Sequence, residues 1–303
     1  MDISIVIVNW NTKELLLDCL ASLYAKVKEL NFEVFVVDNA SSDGSVEAVR
    51  VQYPQVQIIQ NEKNLGFAAA NNKALRVMQG KYALLLNTDA IVTEGAIAKL
   101  FHYMESHGEV AMSCGQLLNA DGTKQNSIAN FPTLLTLLAN ETLLRILLPK
   151  SFPSKRRDYR APIPVESCIG ACLMVRKKAM DEVGLLDERY FFFMEETDWA
   201  LAMRRAGWKS CFVPDARIYH LQGQSAGHNV RARIMFYRAR YQYFRKWFLL
   251  SWPLFGVLLV VRLVINILLN GIGVIMTLGL HGGIRARLVL YLQLLGWHLR
   301  GCP

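Results

Sequence analysis

The stretch MEETDWALAMRRAGW, residues 194–208, places Glu195, Glu196 and Asp198 within four positions and follows them with an apolar run and two arginines. Such acids fit two roles. In a first turn they stabilise the positive end of a helix dipole, with Arg204 and Arg205 in the last turn and Gly207 placed to end it. In a cleft, a carboxylate takes a proton from a reacting hydroxyl. The segment alone leaves both open.

Other polar residues follow strand-like runs. ISIVIVNW (3–10) is too continuously apolar for a half-exposed strand and suits a buried parallel one ending at Asn9 and Asn11. TKELLLDCLASLYAKV has helical spacing, with Leu16, Leu20, Leu23 and Val27 on one stripe. FEVFVVDNASSDGS (32–45) predicts a second strand running into a turn with Asp38 and Asp43. VEAVRVQY predicts a short helix, VQIIQN (56–61) a third strand, LGFAAANNKALRVMQ (65–79) a helix opened by glycine, and YALLLNTDA (82–90) a fourth strand ending near Asn87 and Asp89. This alternation means an α/β domain with a mainly parallel sheet flanked by helices. Ligands bind such sheets beyond the carboxyl ends of the strands, where these polar residues gather.

No G-x-G-x-x-G follows the first strand, which argues against a dinucleotide fold, and no Walker-type phosphate loop occurs. LLLNTDA offers another way to hold phosphate, since a metal at Asp89 would neutralise a diphosphate. The segment 131–164 carries an apolar helical run and then a basic, proline-containing loop. It is read either as core plus loop or as an acceptor-side segment.

Composition divides the chain. Of 303 residues, 52% are hydrophobic and the net charge is +9. From Ala216 onward there is no Asp or Glu, yet eleven Lys or Arg remain. The six cysteines form no C-x-x-C pair, so they read as thiols of a reducing compartment rather than as a disulfide framework or a zinc site. The strand-like start predicts no secretory signal and an active part facing the cytosol.

VRARIMFYRARYQYFRKWF (230–248) interleaves bases and aromatics, a pattern also used on nucleic acid, but no nucleic-acid fold accompanies it. LLSWPLFGVLLVVRLVINILLNGIGVIMTLGL (249–280) is long and apolar enough to reach a bilayer core. On a helix, Arg262, Asn266, Asn270, Gly273 and Thr277 fall near one face. The segment then either lies in the interface or spans with that stripe against protein; a buried soluble helix is the alternative. IRARLVLYLQLLGWHLR (284–300) adds a second basic stretch suited to the cytosolic leaflet. The expected division is therefore a catalytic domain over 1–228 and membrane-associating helices over 229–303.

Taken in order, SIVIVNWN, VVDNASSDGS, NLGFAAANN, LLLNTDA, IGACLMVRKKAMDEVGLLDERYFFFMEETDWALAMRRAGW and ARIYHLQGQS resemble the inverting glycosyltransferases of family 2, in their bacterial rhamnosyltransferase-like branch, over roughly residues 1–250. The resemblance implies a GT-A fold and a nucleotide-diphospho-sugar donor. It implies that Asp38 binds the nucleoside base, with Asn9, Asn11 and Asp43 shaping that pocket, and that Asn64, Gly66 and Asn72 belong to the segment closing over the nucleotide. Asp89 matches the acid that holds Mg²⁺ or Mn²⁺, and His220 the histidine that completes the metal or diphosphate site. Asn87 stands where an Asp is often found, leaving one fewer negative charge for the cation. Glu196 matches the catalytic base, with Glu195 and Asp198 as supporting or acceptor-binding acids.

The expectation is an enzyme of the bacterial plasma membrane's cytoplasmic face. It would move a sugar from dTDP-rhamnose or a UDP-sugar to a lipid-linked or saccharide acceptor of the cell envelope, with no nucleic-acid partner. The rivals are a nucleotidyltransferase and a membrane-tethered sugar-nucleotide-binding protein without turnover. The first wants a glycine-rich basic loop after strand one, which VNWNTKE is not; the second would be favoured by apolar residues at 89 or 196, and both are acids.

Overall fold

A computed structural model describes residues 1–138, 144, 146–148, 152–153, 157–221 and 230–301. Residues 149–151 and 154–156 of the basic loop, and the QGQS at 222–225, lie outside the described residues. The chain divides into two compact units, Met1–Phe131 with Pro153–Ser225, and Pro132–Phe152 with Ala226–Pro303.

The first unit opens with β1 (Ile3–Asn9), α1 (Lys13–Lys26), β2 (Phe32–Asp38), α2 (Ser45–Gln52), β3 (Gln57–Gln60), α3 (Phe67–Leu75) and β4 (Tyr82–Asn87). Its strands lie parallel in the order β3-β2-β1-β4. β1 is buried on both faces, as its unbroken β-branched run requires. Leu16, Leu20 and Leu23 of α1 join Ile3, Ile5 and Ile7 in one core.

The second half of the sheet is mixed. β5 (Ala90–Val92), α4 (Ala96–Ser106), β6 (Val110–Leu118) and β7 (Ile128–Ala129) lead on within this unit. β8 (Ile163–Val165), β9 (Ser167–Cys168), β10 (Cys172–Arg176), α6 (Lys177–Val183), α7 (Glu195–Arg205) and β11 (Lys209–His220) complete it. β10 inserts antiparallel between β4 and β6, β6 runs parallel to β11, and β5 and β8 pair antiparallel with β11. The parallel expectation thus describes the N-terminal half, β1 to β4. β10 starts level with the carboxyl end of β4, Cys172 opposite Leu86, and runs back along it to Arg176 opposite Tyr82.

The second unit contains α5 (Leu134–Leu138), α8 (Val230–Trp247), α9 (Trp252–Met276) and α10 (Gly282–Leu299). Phe244 stacks on Phe255 at 4.1 Å, with Tyr243, Leu259, Leu263, Leu294 and Trp297 also buried. The segment Pro132–Phe152 groups with the C-terminal helices. Its Leu137 is buried, and the Leu137 carbonyl accepts a hydrogen bond from Arg262 Nη1 at 2.6 Å. Along the polar stripe of α9, Arg262 is exposed and Asn266, Asn270, Gly273 and Thr277 are half-buried; Asn270 Nδ2 donates to the Asn266 carbonyl, the Thr277 hydroxyl donates to the Gly273 carbonyl, and a Cβ at Gly273 would stand 3.2 Å from Ile284. Leu254, Val257, Val261, Ile265, Leu268 and Ile272 are exposed, following a different face of the helix.

Candidate active site

Strand register assembles the site. Asn9 is level with Asp38, and Asn87 stands level with Val8. β10 begins at the same edge, where Asn87 N–H donates to the Ala171 carbonyl at 3.0 Å. β11 ends there too, with His220 opposite Ala90 and Leu221 N–H donating to the Asp89 carbonyl.

At the ends of β1 and β2, Asp38 is buried and its two oxygens accept from Asn9 Nδ2 at 2.8 Å and Ser41 N–H at 2.9 Å. Asn11, with φ +53°, accepts from Ser42 N–H at 2.8 Å, so the turns after β1 and β2 are laced together. Asp43 closes the lacing by accepting from Lys13 N–H at 2.8 Å and from Ser45, which are the first residues of α1 and α2. Slight burial pushes the Asp43 carboxyl up, but the bonds from Ser45 and Lys13 outweigh it and hold the group below its ordinary range. Asp43 therefore joins the starts of α1 and α2 as a shared helix cap.

Asn64 accepts from Gly66 N–H at 2.9 Å. Gly66 has φ +82°, and a Cβ there would lie 2.3 Å from the Phe191 carbonyl oxygen, which accepts from Phe67 N–H at 2.8 Å. That contact ties the nucleotide segment to the loop carrying the acids, and only glycine permits it. Asn72 has another task. Its amide nitrogen donates to the Leu186 carbonyl and to Glu188, and its oxygen accepts from Leu186 N–H. Both donors are spent, so Asn72 clamps this loop and has none left for a nucleotide. Asn39 went unnoticed in the sequence although it follows Asp38 directly. It holds Asn61, Leu65 and Gly66 through its side chain.

Asp89 and His220 face each other, with Nε2 3.3 Å from Asp89 Oδ1. Gln125, also unnoticed, sets the ring: its amide donates to the His220 carbonyl, leaving Gln125 Oε1 2.9 Å from His220 Nδ1. Nδ1 must then carry the proton, and Nε2 presents a lone pair toward Asn87 Nδ2, at 3.4 Å, and toward Asp89. Asp89 Oδ1 is buried without a hydrogen bond. A bare carboxylate oxygen beside an imidazole lone pair fits a divalent cation. Among the described residues no third His, Cys, Asp or Glu joins them.

The acids at 195–198 do begin a helix. Phe193 and Met194 precede it with φ +72° and +73°, two consecutive left-handed residues that are not glycine. Asp198 is not presented to a ligand: it is buried, and its Oδ1 accepts the Tyr190 hydroxyl at 3.0 Å, anchoring the strained turn. Glu195 is buried with Oε2 unbonded, and burial together with the charge of Glu196 holds its carboxyl well above the ordinary range. Burial likewise pushes Glu196 up, to about 7, against the pull of the Glu196 and Thr197 N–H groups. Glu196 packs beside Gly170, where an added Cβ would stand 3.9 Å from Glu196 Cγ. Gly170 adjoins Ala171, which pairs with Asn87, so Glu196 belongs to the edge that carries Asp89.

Comparison with known proteins identifies the family and the fold. The sequence profile of glycosyl transferase family 2 matches residues 4–184. N-acetylglucosaminyl-diphospho-decaprenol L-rhamnosyltransferase of Mycobacterium tuberculosis is 30% identical over 225 residues, 69% of this chain and 73% of its own length. The low-salt glycan biosynthesis hexosyltransferase Agl10 of Haloferax volcanii is 28% identical, over 71% of this chain and 66% of its own. In fold, the mannosyltransferase PcManGT from Pyrobaculum calidifontis, solved with GDP-Man and Mn²⁺, superposes with a TM-score of 0.61 at 16% identity, covering 98% of this chain and 87% of that one. GalNAc-T7, solved with UDP, GalNAc and Mn²⁺, gives 0.58 at 16% identity, over 80% and 50%. The chain belongs to glycosyl transferase family 2, as a rhamnosyltransferase-like enzyme on a GT-A fold.

Proposed function

We propose that the enzyme transfers a sugar, rhamnose foremost, from a nucleoside-diphosphate donor to a lipid-linked saccharide in cell-envelope synthesis, with inversion at the anomeric carbon. The observation that carries this reading is the convergence of Asp38, Asp89 with His220, and Glu196 on one sheet edge. Asp38 and Asn9 would receive the nucleoside. Asp89 and His220 would hold a divalent cation, which when bound neutralises charge on the departing diphosphate. Glu196 takes the acceptor hydroxyl proton as that oxygen bonds to the anomeric carbon and the bond to the diphosphate breaks. A carboxyl near pH 7 in affinity is matched to that task at neutral pH.

The acceptor class follows from the mycobacterial relative, whose name specifies a decaprenol-linked substrate. The exposed apolar face of α9 and the acid-free C-terminus favour work at the cytosolic leaflet of a bacterial membrane. The test is nucleoside diphosphate release by purified protein with Mg²⁺ or Mn²⁺, a panel of dTDP-, UDP- and GDP-sugars, and N-acetylglucosaminyl-diphospho-polyprenol. Acceptor-dependent release with one donor is expected. Absence of release across the panel rejects the reading.

A further inference from the structure

The helical unit carries positive charge that none of its described residues neutralises. Arg233, Tyr237 and Arg240 recur at i, i+4 and i+7 along α8 and share one face. The Arg240 guanidinium lies 5.7 Å from the Phe236 ring centre and 5.5 Å from that of Phe255, and its Nε is closed off from solvent without a hydrogen bond. Arg262 reaches in from α9 and spends one nitrogen on the Leu137 carbonyl. Arg233 and Arg240 flank Tyr237 on one face of α8, and Arg240 lies over Phe255, one helical repeat of seven residues before Arg262 on α9; burial pushes the Tyr237 phenol up, and the charges of Arg233, Arg240 and Arg262 each pull it back. Burial lowers Arg240 to about 10; the neighbouring Tyr237 opposes that, while the like charge of Arg262 adds to it.

No carboxylate pairs with any of the three among the described residues. The chain has no Asp or Glu from Ala216 onward, and the single acid of the segment 132–152, Glu141, lies outside the described residues. Arg233 and Arg262 are exposed while Arg240 is half-buried with its Nε shut off from water, so an anion reaching the two outer guanidiniums would also offset the charge of the inner one. Planar guanidinium forks match phosphoryl oxygens in pairs. Arg262 also sits among the exposed Val261, Val264 and Ile265, so whatever binds there has apolar surface within reach.

We propose that Arg233, Arg240 and Arg262 form a binding site for the phosphate or diphosphate head of a long-chain lipid, with its chain laid along the exposed face of α9. This rests on the reading of the enzyme as one acting on a lipid-linked acceptor.

The test measures binding of the full-length protein to phosphatidylcholine vesicles with and without a polyprenyl diphosphate, beside inorganic pyrophosphate added to detergent-solubilised protein. Wild type should prefer the diphosphate vesicles by roughly ten-fold or more, and Arg240→Gln and Arg233→Gln should lose that preference. Arg238→Gln, an exposed change on the same helix, should keep it. Arg240→Lys, which preserves charge but not the fork, should retain part of it, and Arg233→Gln keeps the test informative if Arg240→Gln melts early. Equal loss in Arg238→Gln, or no wild-type preference over plain vesicles, overturns the site. Inorganic pyrophosphate bound as tightly as the lipid overturns the lipid assignment. Nucleoside diphosphate release by wild type, measured separately, reports on the transferase reading, so the two fail independently.

Discussion

His220 presents the lone pair of Nε2 to the Asp89 carboxylate at 3.3 Å, because Gln125 Oε1 accepts a hydrogen bond from Nδ1–H and so fixes the ring proton on Nδ1. Two electron-pair donors held this way need something positive between them. Gln125→Leu frees the ring to turn and protonate. It should weaken Mn²⁺ binding by roughly 10–100-fold in calorimetry with nucleoside diphosphate present. Asp89→Asn should weaken it further, and unchanged Mn²⁺ affinity in both variants would remove the pair as a metal site.

Glu196 gives opposite signs for stability and for activity. Its folded-state affinity for a proton, about 7, exceeds the ordinary 4.5, so its contribution to stability is complete below the lower value and is lost as pH rises through the upper. Glu196→Gln removes that loss. At pH 8 the variant should be more stable than wild type by on the order of 1–3 kcal/mol, with little difference at pH 4. Transfer needs the unprotonated form, so wild-type kcat/KM should climb with pH around a midpoint near 7. Glu196→Gln should fall by at least about 10²-fold at every pH while nucleoside diphosphate binding persists. Comparable turnover by the variant would assign the base elsewhere.

Where one strand end sufficed, the sequence was informative. Asn9, Asp38 and Asn87 are carried to one edge by parallel register, and that register follows from the apolar runs before them. Gln125 was illegible because it meets His220 across 95 positions, with no periodicity to announce it. Asn72 and Asp198 show the opposite limit. Their types suit a ligand, yet each is consumed by the loop between α6 and α7, through Leu186 and Tyr190. Residue type marks a polar task, and only tertiary contacts say whether the partner is a ligand or the chain itself. The segment 132–152 was equally opaque, because its apolar helix turns reveal burial without revealing against what.

Gly66→Ala tests whether the nucleotide segment and the acid loop are one device. The added methyl would press on the Phe191 carbonyl, at a φ that L-residues avoid. We expect a loss of roughly 2 kcal/mol or more in unfolding. The Phe67–Phe191 hydrogen bond should break, and transfer should fall more steeply than nucleotide affinity, because that bond fixes the turn before Glu195. An undisturbed melting curve with full activity would show the close approach to be dispensable.

The apolar face of α9 makes the cleanest separation between membrane contact and folding. Leu268 and Ile272 are 61% and 58% exposed and lie one turn apart on that face. A double change, Leu268→Lys with Ile272→Lys, removes little packing, so unfolding should move by no more than about 0.5 kcal/mol per site. Placing two ammonium groups in hydrocarbon, however, costs on the order of 2.5–3.5 kcal/mol each near its centre and less toward the interface. Co-sedimentation of the full-length protein with anionic vesicles should therefore drop by roughly 100-fold or more while nucleoside diphosphate binding stays unchanged. If instead the variant loses its cooperative melt, the face is covered by protein. If sedimentation is unaffected, α9 does not contact lipid, and the basic residues of α8 and α10 alone must account for any attachment.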